Sequence, residues 1–165
     1  MQLTAQPVYS QLEDGDQIDI LLHSLGCFHN YHDRYLIQKA DGVTEFSYYT
    51  ADWSSENSEW NYEVVGTMKL NARQIQLLDS ELRRYRETTP ISTKEEVDGR
   101  WVVERSRLSS STTSTTLAIK YIEAGRLLGT ELLQNPEFLG MSPAGSALFT
   151  IKQMLVEAKE HRASQ

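Results

Sequence analysis

Two spacings of apolar residues alternate along the chain, and the places where one gives way to the other divide it into elements. Ile18 to Leu25 is rich in β-formers and apolar enough for a buried strand. Arg34–Ala40 and Val43–Thr50 flank Asp41-Gly42, the pair that a two-residue type I′ turn demands because both central residues take φ > 0. Tyr62 to Leu70 alternates as a further strand. The period then lengthens: Ile75, Leu78, Leu82 and Tyr85 fall at 3-4-3 spacing, which builds one stripe of a helix over 71–87. Asn71 caps its start, and Thr89-Pro90 stops it, because the residue before a proline is pushed out of helical conformation.

The second half repeats this plan. Asp98-Gly99 joins Lys94–Val97 to Arg100–Ser106, and Glu123-Ala124-Gly125 reads as a three-residue turn between Thr115–Ile122 and Arg126–Leu133. A last helix is expected over 142–161, with Ser142 as cap and Pro143 in the first turn. Its inward face would be Ala147, Leu148, Ile151, Met154, Leu155 and Ala158. Three polar stretches read as irregular: a loose arm or irregular edge over residues 1–17, a link from Gly26 to Asp33, and a loop from Ala51 to Asn61.

Strand runs punctuated by single helices predict an α+β fold, an antiparallel sheet of about six to eight strands with the helices on one face. The order is compatible with a β-β-β-α duplication, its halves being 18–89 and 90–165. A chain of 165 residues, 39% hydrophobic and 24% charged, suits one globular domain over 1–165. No apolar run approaches the roughly 18–20 residues that cross a bilayer, and Met1–Gln17 lacks the basic and apolar regions of a signal peptide. The single cysteine, Cys27, rules out an intrachain disulfide, and no Asn-x-Ser/Thr sequon is present. Cytoplasmic localisation is therefore the expectation, although a leader removed by processing would leave the same sequence.

The net charge of −7 is uneven. Residues 1–66 hold eleven acids against two bases (Arg34 and Lys39), whereas 67–165 hold twelve acids and fourteen bases. An acidic front half argues against nucleic acid, whose phosphates need Lys and Arg, and favours a partner with a basic surface.

Two constellations stand out. Between Asp52 and Glu63 lie Trp53, Trp60 and Tyr62 with four acids, Glu56 and Glu59 among them. Aromatic side chains dominate binding hot spots, and acids beside them select basic partners. Trp53, Glu56, Glu59, Trp60 and Tyr62 are thus the candidate binding surface. The competing reading turns both indoles inward as core. The other constellation is His23, Cys27, His29 and His32, within ten residues. Thiolate and imidazole suit zinc or copper, although the spacing matches no standard zinc motif. Cys27 could also act as a nucleophile, with one of these histidines as base and Asp33 to orient it.

Elsewhere the chemistry is sparse. Ser109 to Thr116 reads as a flexible loop running into an edge strand, or as a phosphorylation target or a polar face for carbohydrate. Arg83, Arg84 and Arg86 would need Arg100, Arg105 and Arg107 beside them to make a phosphate stripe. No phosphate loop, dinucleotide fingerprint or HExxH motif occurs, and Ser142 lacks the G-x-S-x-G context of a serine elbow. The leading expectation is a non-enzymatic protein-binding domain without a cofactor, of inhibitor or immunity type. The alternatives are a metal-binding protein or small metalloenzyme using the His/Cys cluster, and an accessory domain of a larger assembly.

Overall fold

The computed structural model describes residues 6–26, 29–106, 114–135 and 146–165, apart from the side chains of His29 and Tyr31. Among these residues the fold is mixed α+β, with eight strands in one sheet and two helices. β1 (Gln17–Gly26), β2 (His29–Ala40), β3 (Val43–Ser54) and β4 (Glu59–Lys69) form a meander followed by α1 (Ala72–Thr88). β5 (Ile91–Val97), β6 (Arg100–Ser106), β7 (Ser114–Glu123) and β8 (Arg126–Gln134) follow, then α2 (Ala147–Ala163). Spatially the strands run β4-β3-β2-β1-β7-β8-β6-β5. All pairings are antiparallel except β6–β8.

Each half therefore carries four strands, not three, and the halves are wired differently. The β7–β8 hairpin inserts between β1 and β6, so only the first half is a simple meander. The Asp-Gly turns form as the sequence requires, with φ of 53° and 75° at both Asp41-Gly42 and Asp98-Gly99. The third turn has two residues, not three. Glu123 pairs with Arg126, which leaves Ala124 at φ 47° and Gly125 at φ 81°.

The polar stretches are the main departures. Gly26–Asp33 was expected to connect, yet β2 already begins at His29. Ala51–Asn61 was expected to loop, yet β3 and β4 continue through it and leave only 55–58 as the turn. Cross-strand pairing of Trp53 with Trp60 outweighs the weak strand preference of their Ser, Asn and Asp neighbours. Residues 8–12 are not a loose arm either. Val8, Tyr9 and Leu12 are buried, because a 3-10 turn at Tyr9–Gln11 lays them against the core.

α1 begins as expected. Asn71 Oδ1 accepts from Gln74 N, and Gln74 Oε1 accepts from Asn71 N, each at 2.9 Å, a reciprocal capping box. Leu78, Leu82 and Tyr85 are buried and Ile75 packs beside them. α2 starts at Ala147, with Ser146 as its cap; Ser142 lies outside the described residues. Glu81 of α1 accepts from Ser146 Oγ at 3.0 Å and from Ala147 N, placing a carboxylate at the positive end of α2. Leu148, Ile151 and Leu155 point inward, whereas Met154 and Ala158 are exposed.

Both helices cover the same side of the sheet. That side buries Ile18, Ile20 and Leu22 of β1, Tyr35 and Ile37 of β2, Phe46 and Tyr48 of β3, and Leu117 and Ile119 of β7. No described element covers the opposite side, which for brevity is the open face. Side chains alternate along each strand, so the register alone assigns Leu21, Leu36, Ala118 and Leu132, all half-buried, to the open face.

Candidate functional site

The register places the aromatic residues together. Trp53 and Trp60 are direct partners across the β3–β4 hairpin, with ring centroids 5.4 Å apart in edge-to-face contact. Such a pair adds about 0.5–1.5 kcal/mol beyond its buried area. Trp60 also stacks on the imidazole of His32, with centroids 4.2 Å apart and 3° between planes. His32 Nε2 lies 2.6 Å from the Tyr62 hydroxyl. These contacts reach across β3 because its residue there is small. Asp33 pairs with Thr50 and Ala51 with Tyr62, so the Ala51 methyl is all that stands between the two strands on this face.

A second row lies beside the first. Arg34 donates from Nε to Asp19 Oδ1 at 2.8 Å and from Nη2 to Oδ2 at 3.0 Å. Its guanidinium also lies over the rings of Tyr49 and Tyr62, 5.0 and 5.5 Å from their centroids. The hydrogen bonds to Asp19 hold Arg34 charged, raising its pKa above the ordinary value. Burial raises the Tyr62 hydroxyl, which keeps it protonated beside His32. For His32 the shift is downward, first from burial and then from His23. A half-exposed aromatic surface results, its rings in mutual contact, with Trp53 at its outer end 53% exposed.

The five expected binding residues separate into two groups. Trp53, Trp60 and Tyr62 share the open face, whereas Glu59 alternates to the other side of β4 with Asn61 and Glu63. Glu56 sits in the turn. The acids thus border the aromatics along the strand edge and do not ring them.

Of the four expected metal ligands, the structure brings two together. His23 and His32 are direct cross-strand partners, their rings edge-to-face at 5.4 Å. His23 Nε2 donates to Asn30 Oδ1 at 3.1 Å, while His32 Nε2 is engaged by Tyr62. Cys27 lies outside the described residues, as does the side chain of His29. Among the described residues no group of three or more His, Cys, Asp or Glu side chains is placed to hold a metal ion. Asp33 does not orient His32. Adjacent strand residues face opposite ways, and Asp33 lies on the helix side, accepting from Lys152 Nζ at 2.6 Å and the Tyr48 hydroxyl at 2.9 Å.

The Ser109–Thr116 segment is described only from Ser114, where it opens β7. Arg86 and Arg105 do meet, but around a carboxylate and inside the protein. Arg86 Nη2 and Arg105 Nε each lie 3.0 Å from Glu131, which is 0% exposed. Neither this triad nor the Asp19–Arg34 and Asp33–Lys152 pairs had a signal along the sequence, because each joins residues from separate elements.

Comparison of the chain with protein-family models, curated proteins and solved structures finds no match. No helix among the described residues is long and apolar enough to cross a membrane.

Proposed function

We propose that this chain is a non-enzymatic protein-binding domain, and that its interface is the open face at the β3–β4 end of the sheet. The observation that carries this reading is Trp53, half exposed yet fixed by its edge-to-face contact with Trp60, which itself stacks on His32. A large ring already ordered in the free protein loses little conformational entropy on binding, which is what makes aromatic anchors effective. Glu56 in the turn and Glu59 and Glu63 on the adjoining edge favour a basic partner, consistent with the acidic front half of the chain.

The test is capture of partners from a native lysate, followed by titration of the purified partner against single variants. Trp53→Ala and Trp60→Ala should each weaken binding on the order of tenfold or more. Val97→Ala and Met154→Ala, equally exposed apolar positions elsewhere, should leave it unchanged. Equal affinity across all four variants would remove the open face as the interface.

A further inference from the structure

β4 ends the sheet, and beyond a bulge its outer half is unlike the other sheet edge among the described residues. Tyr48 pairs with Gly66 but Tyr49 pairs with Val64, so Val65 is the extra residue. C-terminal to the bulge, α2 covers the strand, Leu155 packing against Gly66. N-terminal to it, Glu59 to Val64 run beside β3 alone, and their outer backbone N–H and C=O groups meet no strand among the described residues. An unpaired edge of this kind is a template for an added strand.

The two faces of this segment differ sharply. Trp60, Tyr62 and Val64 lie on the open face, and Glu59, Asn61 and Glu63 on the other. The opposite edge of the sheet, β5, offers no such division, since it is exposed on both faces and carries Lys94 beside Glu95 and Glu96.

We infer that Glu59–Val64 binds an extended segment of a partner protein by β-strand addition, and that the segment alternates basic with apolar residues. This rests on the proposed interface, because Trp60 and Tyr62 belong to both. Residues opposite Glu59 and Glu63 would sit four apart on one face and be Lys or Arg. Residues opposite Trp60, Tyr62 and Val64 would occupy the other face and be apolar or aromatic. Charge also decides against a second copy of this chain. Two β4 strands pairing antiparallel about Asn61 would set Glu59 against Glu63 twice, and like charges directly opposite one another destabilise a sheet.

The probe is a capped synthetic peptide whose centre reads Lys-Val-Ser-Val-Lys-Val, titrated against the whole protein by tryptophan fluorescence and amide hydrogen exchange. Saturable binding should slow exchange at the outward-facing amides of Glu59–Val64 by about tenfold or more, since these become part of a second ladder while the others already pair with β3. A scrambled peptide of the same composition, and one N-methylated at every residue of its centre so that neither edge can donate, should give no protection there. The double variant Glu59→Lys/Glu63→Lys, at exposed positions, should reject this peptide and accept its Glu-for-Lys counterpart. Equal binding of the scrambled peptide, or protection elsewhere in the chain, would overturn strand addition. If Trp53→Ala still weakens the natural partner in that event, the aromatic interface stands without it. If Glu59–Val64 is protected while Trp53→Ala and Trp60→Ala change nothing, the edge stands and the aromatic interface falls.

Discussion

The imidazole of His32 lies flat on the indole of Trp60, 4.2 Å between centroids, although β3 runs between their strands. The same device recurs across the sheet. Trp101 of β6 and Tyr121 of β7 meet at 5.2 Å over Gly129 of β8, which pairs with both. A small residue in the middle strand lets large rings from its two neighbours close over it. One instance lies on the open face and builds the candidate site; the other lies in the core. Both can be tested by changing the small residue or the ring.

His32 links the candidate site to pH. Its pKa is lowered from the ordinary 6.5, by burial first and by the neighbouring His23 next, with Asp33 acting weakly the other way. Its Nδ1 is buried without a hydrogen-bond partner among the described residues. The folded protein therefore holds His32 neutral where the unfolded chain would protonate it. That contribution is fully present above about pH 6.5 and is lost as pH falls through the lower folded-state value. Unfolding midpoints in urea should decline between pH 7 and 5, with a shallower decline in His32→Gln. Parallel curves for the two proteins would refute the assignment.

Gly129 is the core counterpart. A Cβ built there overlaps the Trp101 indole, so the ring would have to leave its place against Tyr121. Gly129→Ala should cost about 1–3 kcal/mol, the usual range for overpacking a filled core. Equilibrium urea denaturation reads this directly, and an unchanged midpoint would show that Trp101 moves freely.

The elements with local signals were legible in the sequence. Asp41-Gly42 and Asp98-Gly99 specify their turns through backbone conformation alone, and Asn71 with the Ile75–Tyr85 stripe specifies α1. The β3–β4 hairpin beyond Thr50 was not legible. Its strand character comes from Trp53 meeting Trp60, a contact that exists only once the register does, while Ser54, Ser55, Asn57 and Ser58 read locally as loop. The site was half legible for the same reason. Trp60 and Tyr62 share a parity that sequence can show, but Trp53 reaches their face only through the hairpin register, and His32, Arg34 and Asp19 join them from two other strands. Arg86 was not legible either: the sequence offers it beside Arg83 and Arg84 as part of a phosphate stripe, and the structure turns it inward onto Glu131.

That buried group supports a strong prediction. Glu131 accepts from Arg86, Arg105 and the Tyr121 hydroxyl, and Arg86 also donates to the Gln6 and Pro7 carbonyls, tying residues 6–7 to the core. Glu131→Ala leaves two guanidinium groups buried without their counter-charge and should cost about 3–5 kcal/mol. Replacing all three by apolar residues of similar volume should cost far less, because no charge is then stranded. Denaturation of the two variants side by side checks this, and equal losses would mean that packing volume and not charge is what matters there.

The last prediction runs the other way, towards greater stability. Ala124 opens the β7–β8 turn at φ 47°, a left-handed conformation in which its Cβ crowds the following carbonyl at a cost of roughly 1–2 kcal/mol. The equivalent position is Asp41 in the β2–β3 turn and Asp98 in the β5–β6 turn, both residues that tolerate this region. Gly125 is already suited to the second position. Ala124→Asn should therefore stabilise the protein by up to about 1 kcal/mol, the residue being exposed and free of other duties. Ala124→Val should destabilise it, since β-branching worsens the same clash. Thermal melts of the three proteins order them directly: Asn above Ala above Val. A melt in which Val equals Ala would mean that the turn relaxes out of the left-handed region at no cost.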